Sequence, residues 1–240
     1  MPQPGEEVVR EIAARCRASG IDLAQTLNGA WYDAAVPPEY RLPDVGRPGP
    51  LALLLASTRA FWRPFVAALR AEPARLEHEH PLDRWVEDVV RGALAGVNVR
   101  HAVRFAHDPP PRRVAMQRLA QVSGLAWLAP GMLCVHPTYG PWIGLRAVVV
   151  LDLEGPTGAP PAITPTCEDC AHRCAPALER AQRLAAEAPP NDPVPPLWRE
   201  WLAVRDACPV GREHRYPEDM VRYVYTKNRD VLRAAARAAV

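Results

Sequence analysis

The stretch Cys134-Val-His-Pro-Thr-Tyr-Gly-Pro-Trp-Ile-Gly-Leu-Arg-Ala-Val-Val-Val-Leu151 carries the clearest information about the fold. Two runs rich in β-forming residues, 132–136 and 145–151, flank a segment at 137–144 that contains proline and glycine, which predicts a strand, loop, strand unit. The loop is too short for the crossover that parallel neighbours need, so we expect the two strands to be antiparallel neighbours. Such a loop can display side chains for chemistry.

The rest of the chain alternates helical and extended patterns. An apolar run at 51–58 and an alternating run at 97–105 predict two more strands. Apolar residues at helical spacing predict helices over 6–18, 59–71, 81–95, 114–127 and 166–188, with further helices after a Pro-rich joint at 189–196. This pattern indicates an α+β class, with a mixed, mainly antiparallel sheet flanked by helices.

The length and composition limit the classes of protein to consider. A chain of 240 residues predicts one domain over 1–240, with the cysteine-containing segment 166–211 and the C-terminal helices packed on its core. Apolar residues make up 48% and the net charge is +2, so we expect a globular protein without a concentrated basic surface for nucleic acid. No apolar run approaches the roughly 20 residues of a membrane span, and the N-terminal segment does not resemble an export signal. We therefore expect a cytoplasmic protein with reduced cysteines.

Catalytic motifs of the common kinds are absent from the sequence. No Ser-His-Asp order, P-loop or Gly-x-Gly-x-x-Gly supports a hydrolase or a nucleotide-binding fold. Cys134 and His136 are two apart on a predicted strand, so both side chains point to one face, either toward a ligand or into the core as a buried thiol and a satisfied imidazole. Arg146, Arg205 and Arg229 lie among apolar or aromatic residues, where a guanidinium pairs with a carboxylate of the protein or of a ligand.

A cysteine cluster follows the second strand of the unit. Cys167, Cys170 and Cys174 have C-x-x-C-x-x-x-C spacing, and Cys208 comes more than thirty residues later. Thiolates at such spacing are typical of a zinc site or of part of an iron-sulfur cluster, whereas reduced thiols without metal are the plainer interpretation. The sequence leaves these alternatives open.

The stretch at 134–151 resembles the CblC family of cobalamin-processing proteins, whose pattern there is Cys-Ile-His-Pro, an aromatic-Gly turn, Trp and an Arg-led apolar strand. Other motifs of the family follow in the same order along nearly the whole chain, and they are Ala30-Trp31-Tyr32, Val36-Pro37-Pro38, Arg41-Leu42-Pro43, 201–207 and Arg215-Tyr216-Pro217-Glu218.

The resemblance implies a flavin-nitroreductase-like α+β fold that binds base-off cobalamin and removes its upper axial ligand. Cyanide would leave in a reductive step with reduced FMN or FAD, or an alkyl group would pass to a thiol such as glutathione. Two alternatives are a cobalamin carrier without catalysis and a corrinoid-dependent iron-sulfur reductase similar to epoxyqueuosine reductase. As a partner protein we expect a second copy of the chain or a downstream cobalamin-handling protein.

The resemblance also implies roles for individual residues. Arg146, Arg205 and Arg229 match the arginines that contact glutathione, and they are the catalytic candidates. The positions that match or adjoin cobalamin contacts are Val114, Ala115, Met116, Gln117, Leu128, Ala129, Cys134, His136 and Leu145. Leu128 and Ala129 stand where the family has tyrosines, so the wall of the implied cobalamin site is altered. Only 129–132 stands where animal members have a long insertion, so the resemblance does not extend to a lid or dimer contacts built from it.

Overall fold

The centre of the fold is a four-stranded antiparallel sheet. A computed structural model describes residues 4–187 and 197–238 of the chain. The strands are β1 (Leu23–Asn28), β2 (Pro50–Ser57), β3 (His101–Phe105), β4 (Trp127–Leu128), β5 (Cys134–Val135) and β6 (Gly144–Glu154). The main sheet has the order β1-β2-β6-β3, and β4 and β5 form a separate two-stranded sheet. Every pairing of these strands is antiparallel.

The sheet is covered on both faces. All eight residues of β2 are buried, as are the central residues of β6. Because alternate residues of a strand point to opposite faces, Leu53 and Leu55 enter one hydrophobic core while Ala52 and Leu54 enter the other. Burial on both faces explains why these two strands read as continuous apolar runs.

Two unequal sets of helices cover the faces. The first core receives residues from α1 (Pro4–Ala18), α3 (Trp62–Ala71), α4 (Pro81–Leu94), α7 (Trp198–Ala207), α8 (Glu218–Thr226) and α9 (Arg229–Ala238). The second core receives residues from α2 (Gly29–Asp33), α5 (Met116–Val122) and β5. The remaining helix, α6 (Cys174–Glu187), contacts α7 and contributes Cys174 to a small third cluster.

The structure confirms most of the predicted elements and corrects several. The helix predicted over 114–127 covers only Met116–Val122, because the chain turns at Gly124 with φ +78° and continues into β4. β3 begins at His101 rather than at 97. A short 3-10 turn, Asp169–Ala171, precedes α6, and position 188 lies outside the described residues. β1 and α2 were not predicted, since Leu23–Asn28 has no clear two-residue alternation.

The predicted strand, loop, strand unit is wrong in one respect. Both strands exist, but β5 pairs with β4, while β6 pairs with β2 and β3. Pairing on both sides leaves no free edge of β6 for β5 over these registers, so the loop joins two sheets instead of closing a hairpin.

The extent of the single domain over 1–240 stays a prediction. Across the part of the chain that the structure describes, none of the helices has the length and apolarity to cross a bilayer.

Candidate functional site

A β-bulge at the start of β6 places Arg146. Leu55 of β2 faces Ala147, and the next residue, Ala56, faces Leu145, so Arg146 is the extra residue in β6. A bulge of this kind resets the alternation of side chains and redirects the inserted one. Leu145 therefore packs with the second core, although Ala147 belongs to the first.

The Arg146 guanidinium is held by neutral groups. Its Nε donates a hydrogen bond to Ser57 Oγ at 2.8 Å, and its central carbon lies 4.5 Å from the centroid of the Phe61 ring. None of the ion pairs found among the described residues includes Arg146. Burial lowers the pKa of Arg146, the nearby Arg205 charge adds to this effect, and Tyr216 and Asp83 oppose it.

Arg205, on α7, lies within an aromatic cluster formed by the rings of Trp142, Tyr216 and Tyr225. Its guanidinium carbon is 5.8, 5.6 and 5.9 Å from those three ring centroids. Trp142 and Tyr216 pack edge to face, with centroids 5.5 Å apart. No ion pair of Arg205 occurs within the residues that the structure describes.

Three buried polar atoms of this cluster have no hydrogen-bond partner among the described residues. They are Arg205 Nη1, Trp142 Nε1 and Tyr216 Oη. A buried polar group without a partner costs roughly 1–3 kcal/mol, and more if it is charged, so such groups mark a place where a ligand satisfies them. Burial raises the pKa of Tyr216, while the positive charges of Arg205 and Arg146 oppose the rise. All three atoms are donors at pH 7, and an anion would satisfy them.

Arg229 occupies a different position from the other two arginines. It is the first residue of α9, half-buried, and its Nη2 donates a 3.4 Å hydrogen bond to the Glu79 carbonyl. Its charge opposes the burial that raises the pKa of Tyr223 to about 12. Lys227 lies near Arg229, with its Nζ 5.8 Å from the centroid of the Tyr223 ring. Burial lowers the pKa of Lys227, Asp83 opposes this change, and Arg146 adds to it.

Cys134 is a residue of the predicted corrin wall whose thiol is influenced by the Arg205 charge. It is buried in the second core, and its Sγ donates a weak hydrogen bond to the Gln117 carbonyl at 3.8 Å. Burial raises the pKa of Cys134 to about 11, and the Arg205 charge opposes the rise. At pH 7 the thiol is therefore neutral and a poor nucleophile.

His136 caps the turn that follows Cys134. Its Nδ1 accepts hydrogen bonds from the backbone N–H groups of Thr138 at 3.0 Å and Tyr139 at 3.2 Å. Burial lowers the pKa of His136, and the neighbouring His214 lowers it further. The imidazole is therefore neutral with its proton on Nε2, and its first role is to shape the loop.

Most of the residues predicted to contact cobalamin lie on one face of the sheet. Val114, Met116 and Cys134 are buried in the second core, and Ala115, Leu128 and Leu145 pack against it. Tyr32 of the N-terminal motif holds this wall, because its hydroxyl accepts a 2.8 Å hydrogen bond from the Ala115 N–H. The exposed Gln117 donates from Nε2 to the Met132 carbonyl at 2.7 Å, and Ala129 faces the third cluster instead.

The four clustered cysteines converge from segments far apart in sequence. Cys170, Cys174 and Cys208 are buried together with Ala129 and Val135, and Cys167 is half-buried beside them. Burial raises the pKa of Cys174 to about 12, and the neighbouring Cys208 and Cys170 thiols raise it further. In the described ranges, no three His, Cys, Asp or Glu side chains already have the arrangement of a metal-ligand set.

Several residues of the aromatic and cationic region were not singled out from the sequence. Trp142 and Tyr216 belong to recognised motifs, but nothing in the sequence indicated that Phe61, Tyr225 and Lys227 approach the arginines.

A cleft of about 500 Å³, lined by Glu6, Arg10 and Glu154 among others, lies at the far end of β6 and is separate from this site.

No family model matches the chain. The cyanocobalamin reductase / alkylcobalamin dealkylase of Homo sapiens is 30% identical over an alignment of 217 residues that covers 82% of this chain and 70% of that protein. The Bos taurus protein of the same name is 28% identical over 220 residues, with the same two coverages.

Solved structures share the fold. A B12-trafficking protein CblC from C. elegans matches with a TM-score of 0.69 at 18% identity, over 98% of both chains. An epoxyqueuosine reductase from Bacillus subtilis matches with a TM-score of 0.55 at 12% identity, over 96% of this chain and 80% of its own. These likenesses confirm the α+β, nitroreductase-like fold predicted from the sequence.

Proposed function

This chain belongs to the family of the cyanocobalamin reductases / alkylcobalamin dealkylases, and on that basis we propose that it is an enzyme that binds cobalamin and removes its upper axial ligand. The relatives of that name supply the reaction class. The observation in this chain that carries the proposal is the group of donors at Arg205, Trp142 and Tyr216 that have no partner among the described residues. Arg146, which has no carboxylate partner among those residues, is a nearby charge.

We propose that this group of donors binds the thiol cosubstrate. A tripeptide thiol such as glutathione carries two carboxylates, and a guanidinium fork recognises a carboxylate with two parallel hydrogen bonds. Arg146 and Arg205 are free of internal carboxylate partners within the described residues, so they can form such pairs. Arg229 and Lys227 extend the positive charge toward α9. The same charges favour the thiolate, which is the nucleophile.

We assign the corrin ring to the adjoining apolar wall. Val114, Ala115, Met116, Leu128, Cys134 and Leu145 lie in or against the second core. The assignment also includes the exposed Gln117, the turn residue His136 and Ala129, which packs in the third cluster. Leu145 and Arg146 adjoin at the bulge, so the start of β6 is where the corrin and the thiol would meet. An apolar wall also excludes water, which protects a reduced cobalt from protonation.

Dealkylation in this site would be a displacement at carbon. The thiolate sulfur attacks the alkyl carbon, the S–C bond forms, and the Co–C bond breaks with its electron pair left on cobalt. Cobalt(III) thus becomes cobalt(I), and the proton of the thiol passes to solvent. Since the neutral thiol of Cys134 is a poor nucleophile, an external thiol is the better donor.

Decyanation is the second reaction in the proposal. Cyanide leaves with its bonding pair, and cobalt(III) accepts an electron from reduced FMN or FAD, which acts here as an external reductant. No residue of the chain is assigned to the flavin.

We also propose that the protein acts in the cytoplasm, and that its partner is a second copy of the chain or a downstream cobalamin-handling protein.

The experiment uses the absorption spectrum of cobalamin. Adding the purified protein to methylcobalamin should shift the spectrum to the base-off form, and adding glutathione without oxygen should then yield cobalt(I) and the S-methyl thioether. No shift at high protein concentration would overturn the proposal. A shift without ligand loss, with either the thiol or reduced flavin, would identify a carrier instead.

A further inference from the structure

The cluster of four cysteines is the largest group of reactive side chains that the proposed function does not use. Four of the six cysteines of the chain meet there, from the 3-10 turn at Asp169–Ala171, the start of α6 and the end of α7. Cys170, Cys174 and Cys208 are at most 5% exposed, and all belong to one buried cluster. Segments 34 residues apart in sequence thus bring the free thiols of Cys174 and Cys208 into one buried cluster.

Hydrogen bonds connect two of these cysteines with the local backbone, and in one of them a backbone N–H donates to a sulfur. The Asp169 N–H donates a hydrogen bond to Cys167 Sγ at 3.3 Å, and Cys170 Sγ donates to the Cys167 carbonyl at 3.9 Å. At the other segment, Cys208 ends α7 and leads into Pro209 and Gly211, the latter with φ +66°. The Asp169 N–H favours the thiolate form of Cys167, which is the form that binds metal.

The surroundings of these thiols are largely apolar among the described residues. Ala129 and Val135 complete the buried part of the cluster, and Trp127, Leu133 and Val210 pack around it. Neutral thiols packed as small apolar groups would need no convergence of four, and Cys16 illustrates that case, because it is fully buried alone in the first core.

We propose that Cys167, Cys170, Cys174 and Cys208 together bind one divalent, thiolate-preferring cation of the Zn²⁺ kind. Four sulfurs around one ion is the usual composition of a closed structural zinc site. Each thiol releases a proton to solvent as its sulfur coordinates, and no electron is transferred. The described residues contain no preformed ligand set, so binding requires the four thiols to move relative to one another as they coordinate.

The site would stabilise the wall that we assign to cobalamin. Val135 packs on the cysteines, whereas its neighbour Cys134 lies in the second core. The turn after Cys208 also touches the loop after His136, since the Val210 carbonyl leaves no room for a Cβ on Gly140. A cation there would tie α6, α7 and β5 to one another without contacting the substrate.

Metal content tests this proposal directly. The full-length protein, purified under reducing conditions from zinc-supplemented cells, should contain about one zinc per chain by elemental analysis. Cys170→Ala and Cys174→Ala should lose it, whereas Cys16→Ala, the matched control, should keep it. If either buried variant fails to fold, the half-buried Cys167→Ala keeps the test decisive, with circular dichroism to confirm folding.

Other outcomes would overturn the proposal. They are wild-type protein that neither contains nor takes up zinc, unchanged zinc content in the alanine variants, or iron with labile sulfide in place of zinc. Titration of the metal-free, reduced protein with Co²⁺ provides a second measurement, because four thiolates give intense sulfur-to-cobalt absorption. The base-off shift of added cobalamin is measured separately, so failure of the metal site and failure of the proposed function are distinguishable.

Discussion

Arg146 donates its Nε hydrogen bond to Ser57 Oγ at 2.8 Å, across the strand pair that carries the β-bulge. Ser57 is fully buried and lies at the last position of β2. The bond orients the guanidinium over Phe61, so that its two terminal nitrogen groups have no carboxylate partner among the described residues.

Ser57→Ala tests whether this bond positions Arg146. One hydrogen bond contributes about 0.5–1.5 kcal/mol, so we expect KM for the thiol to rise roughly 2- to 12-fold. Steady-state kinetics with glutathione and methylcobalamin measure this change. The base-off shift should be unchanged, and Ser57→Thr, which keeps a hydroxyl, should recover part of the loss. An unchanged KM would mean that Arg146 is held without Ser57.

Arg146→Ala and Arg205→Ala should weaken thiol-dependent dealkylation more than cobalamin binding. Loss of a charge-assisted hydrogen bond costs roughly 1.5–3 kcal/mol, which corresponds to about 10- to 100-fold in kcat/KM for the thiol. We expect Arg229→Ala to have a smaller effect, because Arg229 already donates to the Glu79 carbonyl. Arg17→Ala, at an exposed position on α1, is the control. Equal losses in dealkylation and in cobalamin binding would indicate a structural role.

Tyr216→Phe should separate stability from binding. The Tyr216 hydroxyl is buried without a partner, so its removal abolishes a desolvation penalty and should leave the free energy of unfolding unchanged or raise it by up to about 1 kcal/mol. The variant should nevertheless bind the thiol more weakly, because a donor to the anion is lost. Urea unfolding and KM for glutathione measure the two effects. Clear destabilisation would show that the hydroxyl is satisfied within the protein.

Gly140→Ala should be strongly destabilising. Gly140 has φ +56°, and the Val210 carbonyl occupies the place of a Cβ, so the variant combines backbone strain with a clash. Gly96→Ala is the matched control, because Gly96 has φ +80° and open space around it. Left-handed backbone alone costs roughly 1–2 kcal/mol, and we expect the loss at Gly140 to exceed that at Gly96 by at least this amount. Urea unfolding measures the free energy of unfolding of both variants. Equal losses for Gly140→Ala and Gly96→Ala would contradict the close contact at Gly140.

The pH dependence of stability should reveal the neutral state of His136. Its pKa is lowered from the ordinary 6.5, so its contribution to stability is fully present above pH 6.5 and is lost as the pH falls through the lowered value. Protonation at Nδ1 would remove the acceptor for Thr138 and Tyr139. NMR titration should give a pKa below 6.5, and His136→Asn, which keeps an acceptor oxygen, should flatten the acid limb of the unfolding curve. A pKa above 6.5 would refute this account.

The sequence alone predicts the helices and strands whose formation depends on local patterns of apolar residues. The apolar run of β2 and the helical spacing of α1, α3 and α4 predict these elements within a few residues, because burial of a strand or helix face imposes its own period. Prediction failed where a short element depends on its partner. The two residues of β4 carry no periodicity, and the pairing of the predicted strand β5 with β4 was missed for that reason.

The sequence by itself determined the class of fold, the resemblance to a family and the identity of the three arginines. Only the tertiary structure decided that Arg146 is the inserted residue of a bulge, that Arg205 lies among three aromatic rings, and that four cysteines meet. The physical reason is that a bulge is a relation between two strands, and that an unpartnered donor is defined by everything packed around it. Neither property is present in the order of residues along one segment.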